Sequence, residues 1–185
     1  VGVPITILAA SIALYASGVV TELVYFQSVD SSGVCRTSYN LSGLGNALVN
    51  EHSLTSNSTV GQTWVLYLAY VILTLAFPVL AHLMQAMIII AHLSGEKTKA
   101  LLMWTTAVWF FACVEVLLLG LFAVDFKYAN LIMKIAGDSN AGFLNIESGL
   151  GTGFYILIVY RAVAGFLHFT LRPRTNQCDI DKDQV

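Results

Sequence analysis

Charge is what this sequence has least of. Lysine and arginine together number 9 and aspartate and glutamate 11 in 185 residues, 11% in all, against about 25% in an ordinary soluble domain. With 57% of residues hydrophobic, the surplus needs lipid or a very large partner to cover it. The net charge of −2 leaves no basic excess to hold nucleic acid or an anionic surface. Cysteine is scarce too: Cys35, Cys113 and Cys178 fall in a loop, a span and the tail, so no pair suggests an internal disulfide and no CxxC suggests a metal. No nucleophile–base set, metal-ligand constellation or phosphate loop is visible. The expectation is a protein that is not an enzyme, with no metal and no cofactor, though with room for a bound lipid.

What is present in abundance is long apolar runs. Four are long enough to cross a bilayer, which takes about 20 residues: about 3–25, 64–93, 100–124 and 154–171. The first is longer than a signal-peptide core and lacks a small-residue cleavage site, so it reads as a span. Its polar interruptions are mostly small hydroxyls, which bond back to the helix at little cost. The second is longer than a bilayer requires, and Pro78 near its middle is the natural place to bend. The expected fold is an all-α integral membrane protein with one domain, 1–174, and a polar flexible tail, 175–185.

Orientation follows from Lys and Arg in the short connections, which are retained on the cytoplasmic side. Lys97, Lys99, Arg172, Arg174 and Lys182 stand against Arg36, Lys127 and Lys134. The bias places both termini inside and both long loops outside. The first loop carries turn formers around β-branched residues, and a short strand pair is expected between Val34 and Leu54. The second, Lys127 to Gly153, mixes apolar and polar pieces and is expected to lie partly on the membrane surface. Asn40-Leu-Ser and Asn57-Ser-Thr are glycosylation acceptors if the chain enters a secretory pathway.

Ionisable groups inside the spans are costly enough to be functional-site candidates by default. Glu115 is the carboxylate within the third span. On the second, His82, Gln85 and His92 share a helix face; on the fourth, Arg161 and His168 lie seven apart beside Ala164 and Gly165, small residues that permit close helix contact. Counting residues from the span ends places Glu115 and Arg161 at similar depth in the outer half, with His82, Gln85 and His92 deeper toward the cytoplasm. An intramembrane Glu115–Arg161 pair is therefore expected, with His82, Gln85, His92, His168, Asp125 and Lys127 as further polar-interior candidates. The pair reads equally as a register lock and as a protonatable gate. The two histidines of the second span are ten apart, the wrong spacing for a metal pair on one helix. Trp64, Tyr67, Trp104, Trp109 and Tyr155 read as interfacial anchors.

In the third span the order of residues becomes specific: Trp109-Phe-Phe-Ala-Cys-Val-Glu115-Val-Leu-Leu-Leu-Gly120-Leu-Phe-Ala-Val-Asp-Phe-Lys127. This resembles the membrane domain of the paraquat-inducible protein A family, whose corresponding helix carries a Trp, an acidic residue before an aliphatic, a Leu-Leu-Gly-like run and a later Lys. The flanks agree in outline, with Phe77-Pro78 in the preceding helix, a short basic loop and a Gly-rich lead-in to the last helix. The resemblance covers about Thr63 to Arg172. It implies a four-helix membrane domain that works beside lipid-carrying proteins to move lipid between envelope membranes, with Glu115 and Lys127 in its polar interior. Bacterial members pair two such domains and carry CxxC zinc ribbons; this chain has one domain and no ribbon, so it looks like a single-domain eukaryotic relative. Two functions follow as expectations. The first is a non-catalytic accessory or structural subunit of a larger membrane complex, with membrane lipids and other membrane subunits as partners; the second is a lipid-transport or transporter-like module.

Overall fold

In the computed structural model the described residues are 2–30, 33–52, 60–90, 95–136 and 145–180, with side chains described for 3–27, 34–47, 64–90, 97–125 and 147–171. Four helical stretches are long and apolar enough to cross a membrane: Val3–Val20, Trp64–Ile90, Lys97–Asp125 and Thr152–Leu171. That is consistent with a multi-pass membrane protein and matches the expected spans in number and place. The last residues assigned to the second span, 91–93, lie outside the described residues.

The first helix, α1, is Gly2–Val20, so it ends before the apolar run does. Strand β1, Val24–Asp30, begins four residues later and pairs antiparallel with β2, Gly33–Tyr39. The expected strand pair exists, but earlier in the chain than Val34–Leu54. Two physical reasons account for the shift. Val24, Tyr25 and Phe26 raise hydropathy whether they are helical or extended, yet β-branched and aromatic residues favour the pleated surface. Beyond Tyr39, Asn40 caps a helix: its Oδ1 accepts from the Gly43 N–H at 2.7 Å and from the Ser42 hydroxyl at 3.2 Å. Helix α2, Leu41–His52, follows from that cap.

The second connection also departs from expectation, because β3, Asn145–Leu150, pairs antiparallel with the other edge of β1. The result is a three-stranded sheet in the order β2-β1-β3, drawing on both connections. Helix α6, Val114–Ala136, continues where a loop was expected. The Ser148 hydroxyl ties β3 to α6 through the Asp125 carboxylate, at 3.2 Å. The tail also differs: α7, Thr152–Ile180, keeps the backbone helical past Thr175.

The second span is α3, Val60–Val71, and α4, Phe77–Ile90, joined by a π-helical turn, Ile72–Ala76. Pro78 lacks an N–H and cannot bond the Thr74 carbonyl four residues back. That carbonyl accepts instead from the Tyr15 hydroxyl of α1, at 2.7 Å. Pro78 thus marks the irregularity, as expected, and Tyr15 satisfies the group it frees. The third span is broken: α5, Gly95–Phe111, stops, the Val114 N–H turns back to the Ala112 carbonyl at 2.7 Å, and α6 starts at Val114. No glycine or proline stands at the break.

Burial is inverted relative to a water-soluble bundle. Large apolar side chains such as Leu83, Met103, Phe110, Leu119 and Phe169 point outward, while Ser11, Thr74, His82, Gln85 and Thr105 are buried. The interior is layered. One apolar cluster at the sheet end joins Tyr15, Leu23, Leu118, Phe154, Leu157 and Tyr160; a second at the far end joins Leu8, Ile89, Leu102, Leu167 and Leu171. On each of α1, α4, α5 and α7 the buried or half-buried polar residues (Ser11, His82 and Gln85, Thr105, Arg161) lie near the passage between clusters.

Candidate functional site

The inner part of this polar layer is built on His82. Its Nδ1 lies 2.6 Å from the Pro78 carbonyl, which can only accept, so Nδ1 carries the proton. In the neutral ring Nε2 then accepts from the Ser11 hydroxyl at 2.8 Å. The ring also lies against Tyr15 and Tyr160, centroids 6.2 and 5.6 Å away. His82 is therefore held by partners on α1, α4 and α7. Gln85, one turn along, is fully buried, and neither Nε2 nor Oε1 has a hydrogen-bond partner among the described residues. A buried amide left unpaired costs about 1–3 kcal/mol. Gln85→Leu, which keeps roughly the volume and removes the cost, is expected to raise the thermal midpoint in detergent by several degrees. A fall would mean that the amide is engaged in the folded protein.

The outer part is the expected ion pair. Arg161 Nη2 meets Glu115 Oε1, and the two residues sit at matching depth. Glu115 is ten residues from Asp125 and Arg161 nine from Thr152, about 15 and 14 Å from the sheet-end limits of their spans at 1.5 Å per residue. The break in the third span gives Glu115 a second stabiliser. It places the carboxylate in the first turn of α6, where the unpaired N–H groups and the helix dipole favour a negative charge. Burial is uneven, because the Arg161 side chain is 11% exposed and the Glu115 side chain 52%.

Arg161 has a second neighbour that the sequence reading misassigned. Its guanidinium lies 3.9 Å from the centre of the Trp109 ring, within cation–π range. That ring also stacks parallel to His168, at 6.5 Å and 5°. Trp109 is an interior support and not an interfacial anchor. Its position gave the signal: anchors belong at span ends, whereas Trp109 lies near the middle of Lys97–Asp125. His168 also approaches the Thr106 hydroxyl, at 3.3 Å.

Tyr160 bridges the two parts, with its ring 5.6 Å from His82 and 6.4 Å from Trp109. Its hydroxyl and Arg161 Nη1 are buried without hydrogen-bond partners among the described residues. The candidates thus form two adjoining groups, Ser11–His82 and Glu115–Arg161–Trp109–His168, rather than one cluster. Asp125 lies apart at the sheet. The Lys127 side chain, His92 and Asn57 lie outside what is described, and Asn40 is the α2 cap. Among the described residues no three His, Cys, Asp or Glu converge as a metal site.

Beside the pair, α6 and α7 diverge around a groove of about 620 Å³. Leu118, Leu119 and Phe122 form one wall, Phe154, Tyr155 and Ile158 the other, Glu115 and Arg161 the floor, and Leu150 of β3 closes the sheet end. The fold and site define a bundle of four candidate membrane spans with a polar middle layer, an outward-facing ion pair and a sheet at one end. Comparison with protein-family models, with curated proteins and with solved structures gives no match.

Proposed function

We propose that this chain is a non-catalytic four-span membrane protein that serves as an accessory subunit of a larger membrane complex. The termini lie on the cytoplasmic or equivalent inner side and the sheet on the outer side, in keeping with the Lys and Arg bias. The observation that carries the reading is the sheet. Both connections between spans on that side contribute strands, and β2 is left at its edge with Val34, Cys35, Arg36, Thr37 and Ser38 all exposed. An edge strand offers a row of peptide groups ready to pair with another chain. This edge is held firmly: Arg36 pairs with Glu22 at 2.5 Å and lies 4.2 Å from the centre of the Tyr25 ring.

Extraction in a mild detergent is expected to recover the chain in an assembly several times the mass of the 20.1 kDa polypeptide. Recovery as a stable lone monomer would overturn the reading. The alternative, a lipid-transport module of the paraquat-inducible protein A type, is favoured by the groove beside Glu115. Transport predicts that Glu115→Gln, which keeps an acceptor for Arg161, preserves abundance but stops lipid transfer between reconstituted vesicles. Unchanged transfer would remove Glu115 from any such mechanism.

A further inference from the structure

We infer that the groove between α6 and α7 is a binding site for a neutral, hydroxyl-bearing lipid, its chain lying along the apolar walls and its hydroxyl donating to Glu115. The inference goes beyond the accessory-subunit reading and does not depend on it. Size is the first argument, since about 620 Å³ falls within the range of about 300–1,000 Å³ typical of small-molecule sites. On the walls Leu119, Phe122, Tyr155 and Ile158 are exposed beside the buried Leu118 and Phe154, and Tyr155 carries their one hydroxyl, so an occupant enters sideways from the hydrocarbon.

The floor restricts its chemistry. Glu115 is the charged group with more exposure, and a carboxylate only accepts hydrogen bonds; the occupant must carry a donor. Arg161 already balances its charge, so a cation would leave the site with an unneutralised positive charge, and an anion would approach a carboxylate. Depth removes the remaining common class. The pair lies about 15 Å from the sheet-end limit of its spans, near the middle of a hydrocarbon core about 30 Å thick. A phosphate headgroup held at the membrane surface does not reach it, whereas a hydroxyl on an otherwise apolar molecule does.

The test uses the purified chain in phosphatidylcholine vesicles and two photoactivatable probes. One is a long-chain alcohol with a mid-chain diazirine; the other is a phosphatidylcholine carrying the same diazirine at the same chain position. Mass mapping is expected to find the alcohol on the Leu118–Phe122 and Phe154–Ile158 peptides at least fivefold more often than the phospholipid. Leu119→Trp and, from the opposite wall, Ile158→Trp replace outward-facing residues and fill the groove without touching the ion pair. Each is expected to lower alcohol labelling at least fivefold. Equal labelling by the two probes, no labelling by either, or alcohol labelling unchanged in both filled variants would overturn the site. Assembly size, measured separately, bears only on the subunit reading.

Discussion

Replacing Glu115 with leucine is expected to destabilise the folded chain by about 3–5 kcal/mol, the usual cost of leaving a buried charge, here that of Arg161, without its partner. Arg161→Leu is expected to cost roughly half as much. The order follows from what each variant leaves behind. Without Glu115, a guanidinium that is 11% exposed and stays protonated under all ordinary conditions faces a medium that cannot solvate it. Trp109 alone offsets only about 2 kcal/mol of that. Without Arg161, the carboxylate that remains is half exposed, sits in the first turn of α6, and can neutralise itself by taking up a proton. The double variant, with leucine at both positions, is expected to recover most of the loss, because neither charge is then stranded. The measurement is thermal unfolding in detergent for the two single variants and the double, with monodisperse yield as the second readout. If Arg161→Leu proved the more damaging, or the double variant no better than the worse single, the pair would not be the unit that holds this layer together.

Much of this site was legible in the sequence, and for identifiable reasons. Membrane-length helices must satisfy their own backbone, so hydropathy located the spans and residue counts from their ends matched Glu115 with Arg161. The same counts place Trp109 near the middle of its span, but the tendency of tryptophan to sit at interfaces outweighed that central position in the sequence. Contacts made by pairing distant strands carry no local signature: nothing about Asn145–Leu150 indicates that its partner is Val24–Val29. The run from Leu23 to Phe26 reads as membrane helix for as long as hydropathy is the only measure, since a strand covered by other elements is equally apolar. The break at Ala112–Cys113 was invisible for a different reason. Without glycine or proline there, no backbone preference marks it, and only the position of Glu115 just beyond it, where an acidic residue suits a helix start, hinted at a new N-terminus. The Asn40 cap, by contrast, was readable, but asparagine serves equally well as a turn former between strands.

Gly151→Ala is expected to separate the sheet from the bundle, with a cost of about 3 kcal/mol, at the upper end of what overpacking costs in well-filled cores. Gly151 stands between β3 and α7, where the chain passes against the turn that joins α1 to β1. Its N–H donates to the Leu23 carbonyl at 2.9 Å, and the Gly153 N–H donates to the Glu22 carbonyl at 2.7 Å. A Cβ at Gly151 would lie 2.2 Å from the Glu22 carbonyl oxygen and 2.7 Å from its carbon. Both are backbone atoms and cannot swing aside as a side-chain tip would, so the two hydrogen bonds must lengthen or the turn must move. The damage is expected to spread along a definite route. Leu23 and Val24 belong to the sheet-end core with Phe154 and Leu157, so shifting this latch loosens the sheet and one wall of the groove together, while the far-end cluster of Leu8, Ile89 and Leu167 keeps its packing. Amide hydrogen exchange in detergent is the measurement: protection should fall in β1, β2, β3 and the first turns of α7 and persist in α4. Gly120→Ala is the matched control, because a Cβ there meets nothing within 4 Å and alanine favours a helix over glycine by about 1 kcal/mol. If Gly151→Ala were as stable as Gly120→Ala, with exchange unchanged in the sheet, the close approach at Glu22 would not be what fastens the sheet to the bundle.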